Sequence, residues 1–382
     1  MVMAGGTGGH LFPALAVAEW LRREGCRITW LGSARSMESR LIPEYGYPLE
    51  QIAVRGIRGT GLKRRLLAPF EIVRALWQAL GVLRRTRPNL VLGMGGFVTG
   101  PGGLMARMLR IPLVIQEQNA IPGLTNRMLA RLAIRVFEAF PGSFGADAGA
   151  ETSGNPVRQE IVDLQPPQAR FIDRSGPMRL LVLGGSLGAR ALNQAVPEAL
   201  ALMPAGHRPQ VRHQSGEKLL DETLAAYRAA GVEAEIKPFE KAMWEAYGWA
   251  DLVICRAGAL TVSELAAAGL GAVLVPYPHA VDDHQTHNAR YLVEAGAAQL
   301  VPQSELNGQR LYEILQTLCD DRPTLLRMAL AARNLAVPDA AGVVGRACLE
   351  VLKLANSSDA VMPPTAWAAC GVSTSSVSAA PA

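Results

Sequence analysis

Two stretches of the chain, MVMAGGTGGHLFPALAVAEWL at the start and RLLVLGGSLGARALNQAVPEAL roughly 180 residues further on, share one plan: apolar strand, glycine-rich turn, apolar helix. Such a unit feeds a parallel sheet, because parallel neighbours need a helical crossover between them. Two copies within 382 residues call for an α/β chain of two doubly wound, Rossmann-like domains. The alternation continues between the copies. RITWLG, NLVLGM, IPLVIQ and AIRVFEAF read as strands of the first half, and PQVRHQSG, AEIKPF, DLVICRAG and AVLVPYP as strands of the second. A hydrophobic share of 49% against 19% charged supplies two cores and excludes disorder for the bulk of the chain. The expected division is residues 1–158 and residues 159–354, the second domain starting with a Pro-, Asp- and Arg-rich link (Gln159–Pro177) and ending in the helix GVVGRACLEVLKL. The Ser-, Ala- and Pro-rich tail, 355–382, is expected to be disordered.

The opening has neither a basic n-region nor an apolar h-region, and no apolar run reaches the length of a bilayer span, so a cytosolic protein is expected. Five scattered cysteines, none in a CxxC pair, fit reduced thiols rather than disulfides or zinc. Charge is uneven: residues 1–150 hold 19 Lys and Arg against 9 Asp and Glu, and the remainder 19 against 24. The basic half is the one suited to an anionic surface.

Three glycine turns follow strands: Gly5-Gly6-Thr7-Gly8-Gly9, GMGGFVTGPGG from Gly93, and Gly184-Gly185-Ser186-Leu187-Gly188. Glycine lets backbone amides approach a ligand, and the helix N-terminus behind each turn favours negative charge, so phosphate-bearing ligands fit. No GxxxxGK[ST] is present, the first turn is out of register with GxGxxG, and the second strand ends in Gly32 and Ser33 rather than the acid a dinucleotide ribose needs. GGSLG also satisfies GxSxG, so a hydrolase with Ser186 as nucleophile, and Asp251 with His279 or His284 completing the triad, is an alternative. It leaves the first 150 residues without a task.

In the second half, RAGALTVSELAAAG follows the strand DLVIC and predicts a helix starting near Leu260, with backbone amides and the Thr261 hydroxyl available to a diphosphate. Glu264, in its first turns, is placed to accept both hydroxyls of a ribose or simply to complement the helix dipole. HAVDDHQTHNARYL gathers His279, Asp282, Asp283, His284, Gln285, His287 and Asn288 without any metal-ligand spacing. No metal and no cofactor are expected. Gln285 and Asn288 are read as hydrogen-bonding groups for sugar hydroxyls.

GGTGGHLFPALAVAEWL, GGFVTGPGG, EQNAIPGLTNRMLA, SGNPVR, LGGSLGARALN, CRAGALTVSELAAAG and DDHQTHNA stand in the order and spacing of one family. Over nearly the whole chain apart from the tail, the sequence resembles the MurG family, bacterial transferases that add N-acetylglucosamine to the lipid-linked muramyl-pentapeptide precursor of peptidoglycan. The resemblance implies a GT-B fold, two Rossmann-like domains facing across a cleft, with UDP-GlcNAc held mainly by the second and the undecaprenyl-linked acceptor mainly by the first. Carried over by position, Thr7, Gly8 and Gly9 face the donor diphosphate and sugar. Asn119, Arg158, Ser186, the run Ala259, Leu260, Thr261, Val262, Ser263 and Glu264, and Gln285 are donor contacts, and Glu240 meets the uracil through its main chain. The sequence departs from the family pattern at Gln116, where histidine is frequent, at Phe97, where tyrosine is common, and at Leu187, where glutamine is usual.

The implied reaction is attack of the muramyl C4 hydroxyl on the anomeric carbon, inverting α to β as UDP leaves, and it needs a base near the nucleophile. His10 at the cleft floor is the candidate, since histidine titrates near neutrality; Glu117 is the second candidate, and a capping or donor-binding role for His10 is the alternative. An acceptor carried in a bilayer also needs a membrane-facing surface. GLKRRLLAPFEIVRALWQALGVLRRTRP offers one: Lys63, Arg64 and Arg65 before the segment and Arg84, Arg85 and Arg87 after it, with Glu71, Arg74 and Gln78 on a polar stripe opposite Leu66, Phe70, Val73, Trp77 and Leu80. That apolar face either meets lipid or packs on the sheet. No nucleic-acid motif is present. A related transferase with another lipid acceptor and a nucleotide-sugar sensor without turnover are the remaining alternatives.

Overall fold

A computed structural model describes residues 1–34, 36–54, 62–172, 174–185 and 188–357, with the side chains of residues 62–68, 281, 356 and 357 excepted. Ser186, Leu187 and the tail from residue 358 therefore lie outside the described residues, as do the side chains of Lys63, Arg64, Arg65 and Leu66.

The first sheet contains β1 (Val2–Met3), β2 (Trp30–Ser33), β3 (Leu49–Ile52), β4 (Val91–Gly93), β5 (Leu113–Glu117), β6 (Arg135–Glu138) and β7 (Glu151–Thr152), in the spatial order β3-β2-β1-β4-β5-β6-β7. The second contains β8 (Arg179–Leu183), β9 (Gln210–Gln214), β10 (Glu235–Lys237), β11 (Leu252–Cys255), β12 (Gly271–Leu274) and β13 (Ala298–Leu300), in the order β10-β9-β8-β11-β12-β13. Every pairing is parallel; Val2 lies opposite both Trp30 and Leu92, and Leu252 opposite both Leu180 and Gly271. Each sheet thus reverses its winding beside its first strand, where the crevice outside the strand ends opens. The three glycine turns follow β1, β4 and β8, at those reversal points.

Strands covered on both faces are apolar throughout, because successive side chains enter opposite layers. Val2 joins Leu11, Val17 and Trp30 in one layer while Met3 joins Leu31, Leu83 and Ile115 in the other. The helix Gly8–Arg23 covers the first layer, its Leu11, Ala14, Leu15, Ala18 and Leu21 recurring at helical spacing.

Two segments differ from the sequence expectation. The closing helix, Ala340–Ser357, buries Val344, Ala347, Cys348 and Val351 in the first domain's core rather than the second's, and Gly345 leaves room for the Trp20 ring. The i, i+3, i+4, i+7 stripe decides where a helix docks; sequence adjacency does not. The helix also continues through residues 355–357, into the stretch expected to be tail. The expected link is itself structured: the helices Gln159–Val162 and Pro167–Ile172 lie on the second domain, where Arg170 donates to Tyr247 O and Ala268 O at 3.3 and 2.6 Å.

Candidate active site

The first turn is held from below by a carboxylate. Glu38, fully buried, accepts from Gly6 N at 3.1 Å and from Ser33 N and Oγ at 3.0 and 2.7 Å. Burial pushes its pKa up, but the hydrogen bonds from Ser33, its own backbone and Ser36 together outweigh that, and the group sits below the ordinary carboxylate range. The second turn closes over the first. Gly95 and Gly96 have φ of +93° and +87°; a Cβ on Gly95 would stand 2.7 Å from His10 Nδ1, and one on Gly96 would strike Gly5 O. Only glycine satisfies both the conformation and the approach. Thr7 is the exposed N-cap of the helix carrying His10 and does not spend its hydroxyl on capping, with Gly8 and Gly9 half-buried behind it.

His10 is half-buried, and its Nδ1 meets Gln118 Oε1 at 2.6 Å. Among the described residues nothing hydrogen-bonds Nε2. Glu117, by contrast, is committed. It is 1% exposed, Oε1 accepts from Asn119 N and Nδ2 at 2.9 and 3.0 Å, and Oε2 accepts from Gly123 N and Asn126 Nδ2 at 3.1 and 3.0 Å. A carboxylate so saturated shapes the 117–126 loop rather than receiving a substrate proton, so the structure does not support Glu117 as a base.

Several polar bonds cross between the domains. Asn155 Nδ2, which donates to Gln118 O within the first domain, also donates to Ser263 Oγ of the second, both at 3.0 Å. Asn288, expected to serve a sugar, is fully buried and instead clasps the first domain: its Oδ1 accepts from Ala120 N at 2.9 Å and its Nδ2 faces Asn119 Oδ1 at 3.4 Å. Arg158 bridges as well, with its guanidinium 5.2 Å from the Phe12 ring centroid and Nη2 donating to Glu264 Oε1 at 3.0 Å. Its Nε is buried without a partner among the described residues. Tyr247 OH donates to the other Glu264 oxygen at 3.0 Å. Burial raises the Glu264 pKa, opposed by Arg158. With 5% exposure, Glu264 presents little to a ribose in this conformation.

The helix Ala259–Ala268 begins as predicted, one residue before Leu260, with Gly258 as extended N-cap. Ala259 and Val262 point into the core, Leu260 and Thr261 are half-buried, and Ser263 Oγ returns to Ala259 O at 3.0 Å. Val262 offers a ligand little, since its side chain is buried and its N–H donates to Gly258 O at 2.9 Å within the helix. Gln285 Oε1 accepts from Tyr277 N at 2.9 Å, and Glu240 Oε1 accepts from Ala242 N at 3.1 Å, turning that side chain back on its own loop. Among the described residues no three His, Cys, Asp or Glu side chains converge as a metal site, and no helix is long and apolar enough to cross a membrane.

The hydrolase constellation does not form. Asp251 precedes β11 at its amino end, buried in an ion pair with Arg174 and accepting from Arg179 N, whereas His279 and His284 follow the carboxyl end of β12. The sheet separates them.

Glu38, Gln118, Asn155, Tyr247 and Phe12 escaped the sequence reading. Glu38 alone left a local signal, an acid in the first turn of a helix after β2. The others are recognisable only through their partners, Gln118 and Asn155 through residues 108 positions away at His10 and Ser263, Phe12 through Arg158, and Tyr247 through Glu264 on another helix.

Two doubly wound domains with glycine turns at both winding reversals and polar bonds across the crevice define the GT-B architecture of nucleotide-sugar glycosyltransferases. The model of the glycosyltransferase family 28 N-terminal domain matches residues 1–138 and that of the C-terminal domain residues 179–344, so the chain belongs to glycosyltransferase family 28. The UDP-N-acetylglucosamine--N-acetylmuramyl-(pentapeptide) pyrophosphoryl-undecaprenol N-acetylglucosamine transferase of Marinobacter nauticus is 58% identical over 350 residues, 92% of this chain and 96% of the relative. The same-named enzyme of Alkalilimnicola ehrlichii is 57% identical over 92% and 98%. Among solved structures, Acinetobacter baumannii MurG superposes with a TM-score of 0.78 at 42% identity, covering 92% of this chain and 99% of that one.

Proposed function

We propose that the protein transfers N-acetylglucosamine from UDP-GlcNAc to the C4 hydroxyl of undecaprenyl-pyrophosphoryl-MurNAc-pentapeptide, with inversion at the anomeric carbon. The relatives' shared activity supports the substrates, and one local observation carries the chemistry: beside the crevice, His10 has Nδ1 engaged and, among the described residues, Nε2 unengaged. The C4 oxygen forms its bond to the anomeric carbon as its proton passes to Nε2, and the bond from that carbon to the diphosphate oxygen breaks, leaving the electron pair on UDP. Arg158 Nε, without a partner among the described residues, and the amides of Ala259, Leu260 and Thr261 are the groups to offset the charge that develops there. Thr7, Gly8, Gly9, Asn119 and Gln285 surround the sugar and diphosphate, Glu240 meets the uracil through its backbone, and Glu264 turns from Arg158 toward the ribose when the donor arrives.

The reading extends to a peripheral location on the cytoplasmic face of the bacterial inner membrane. Phe70 is 76% and Trp77 68% exposed on the helix Leu62–Thr86, with Val73 exposed between them, while Ala75, Ala79, Val82 and Leu83 fill the core side. Packing on the sheet therefore claims only part of the apolar surface. Leu104 and Met108 on the adjoining helix Thr99–Met108, and Leu124 and Met128 on the next, are exposed too. Each large side chain inserted in a bilayer is worth about 1.5–3 kcal/mol and each surface-adjacent basic residue about 1 kcal/mol with anionic lipid.

The test is UDP release from UDP-GlcNAc with a lipid-linked muramyl-pentapeptide acceptor, with and without EDTA. Acceptor-dependent release that survives EDTA is expected. Absence of acceptor-dependent release from folded protein would remove the substrate assignment.

A further inference from the structure

The hydrogen bond at His10 Nδ1 belongs to a buried chain of amides whose orientation is fixed by backbone. Gln118, 1% exposed, directs Nε2 at Gln116 O and Oε1, at 3.1 and 2.5 Å. A backbone carbonyl only accepts, so the amide nitrogen must face it and the amide oxygen must face His10. Gln116 is pinned by the same logic: fully buried, it donates from Nε2 to Glu117 O at 3.2 Å and Gly154 O at 3.4 Å, which leaves its Oε1 for Gln118. A neutral imidazole carries one proton on either ring nitrogen, and among the described residues the group that shares a hydrogen bond with Nδ1 is an acceptor.

We propose that Gln118 is a positioning residue that fixes His10 as its Nδ1–H tautomer, and that Gln116 orients the Gln118 amide to do so. Nε2 is then the bare nitrogen. The inference rests on His10 being the base, since only then does the bare nitrogen matter to turnover. In the other tautomer Nδ1 and Gln118 Oε1 would oppose lone pair to lone pair, and Nε2 would carry a proton toward the hydroxyl it must deprotonate. The bond also survives the reaction: imidazolium keeps its Nδ1–H, so Gln118 holds the ring in one orientation before and after the proton arrives. Gln116 thereby acquires a task of its own at a position where the family pattern frequently has histidine. The chain ends at the domain junction, where Asn155 donates to Gln118 O and Ser263 Oγ.

Long-range 1H–15N correlation spectra of the full chain with 15N-labelled histidine, above the histidine titration range, read the tautomer directly. The His10 signals are identified by their loss in His10→Gln. Parent protein is expected to show the Nδ1–H pattern at His10. In Gln118→Leu that pattern gives way to Nε2–H or a mixture, and kcat falls by about tenfold to a hundredfold with KM for UDP-GlcNAc within about twofold. Gln118→Glu retains an acceptor and keeps the Nδ1–H pattern. Gln116→Leu gives the same change as Gln118→Leu, with a smaller loss in kcat. An Nε2–H pattern in the parent would overturn the proposal, as would an unchanged pattern and unchanged kcat in Gln118→Leu. Should Gln118→Leu not fold, the parent and Gln118→Glu spectra decide. Turnover of His10→Ala separates the two readings: if it persists, His10 is not the base, whatever the tautomer.

Discussion

Each domain holds one histidine in an amide network, and the two are used oppositely. In the first domain His10 has one ring nitrogen bound to Gln118 and the other unengaged among the described residues, at the edge of the crevice. In the second, His213 at the end of β9 is 1% exposed and has both nitrogens bound, Nδ1 to Tyr227 OH at 2.8 Å and Nε2 to Asn193 Oδ1 at 3.0 Å. Asn193 is oriented as Gln118 is, by a backbone acceptor: its Nδ2 donates to Ser215 O at 3.0 Å. The same device, an amide locked by a carbonyl, makes a poised group where one nitrogen is spare and a structural tie where none is. Histidine beside a glycine turn is thus not informative in itself; the number of its engaged nitrogens is.

The sharpest way to break this contrast is His10→Ala. We expect kcat to fall by about a hundredfold to ten-thousandfold, with the melting temperature and donor affinity retained. A loss below tenfold would put the two histidines in one class. Next comes acid. Burial lowers the His213 pKa from 6.5 to about 3. Between those values the unfolded chain binds a proton that the folded chain refuses, so stability is undiminished above 6.5 and falls by up to about 1.4 kcal/mol per pH unit toward 3. Denaturant melts at several pH values should show this slope, reduced in His213→Gln; an identical slope in both proteins would mean that His213 is not the group responsible. His213→Ala should cost about 2–4 kcal/mol by leaving Tyr227 and Asn193 unpaired, while the folded fraction retains its kcat, seen by pairing melts with active-site titration. Gly95→Ala should be smaller in stability, about 1–2 kcal/mol for the strained φ, but should lower kcat by displacing the His10 ring. If Gly95→Ala left kcat untouched, the ring would not be held by the second turn. Smallest in chemistry, Phe70→Ser with Trp77→Ser should abolish flotation with anionic vesicles and leave turnover of a water-soluble acceptor within about twofold.

The sequence exposed the periodic and the punctuated parts of this molecule. Both winding reversals were legible, because glycine turns after apolar runs are local signals, and so was the helix at Ala259. The edge strands β3, β7 and β13 were not: LEQI, ET and AQL are too short and too polar to announce strands, and they form because a neighbouring strand offers them its hydrogen bonds. In the site the same division holds. His10 stood out as a residue type in a turn, whereas the roles of Gln118 and Asn288 arise from partners set 108 and 168 positions apart, at His10–Gln118 and Ala120–Asn288. Glu117 is the converse case, a reactive residue type whose oxygens are already occupied by the loop around it.

The closing helix has a consequence for how the protein is made. The body of the first domain is translated before the second, yet Val344, Ala347, Cys348 and Val351 of its core are translated only after the second domain's last strand. Its layer beside the helix Gly8–Arg23 remains uncovered throughout synthesis of the entire second domain, so the amino-terminal half waits for the carboxyl-terminal helix to seal it. The two halves cannot mature as independent units in the order they are synthesised, and a ribosome that stalls before residue 340 releases a first domain with an open core.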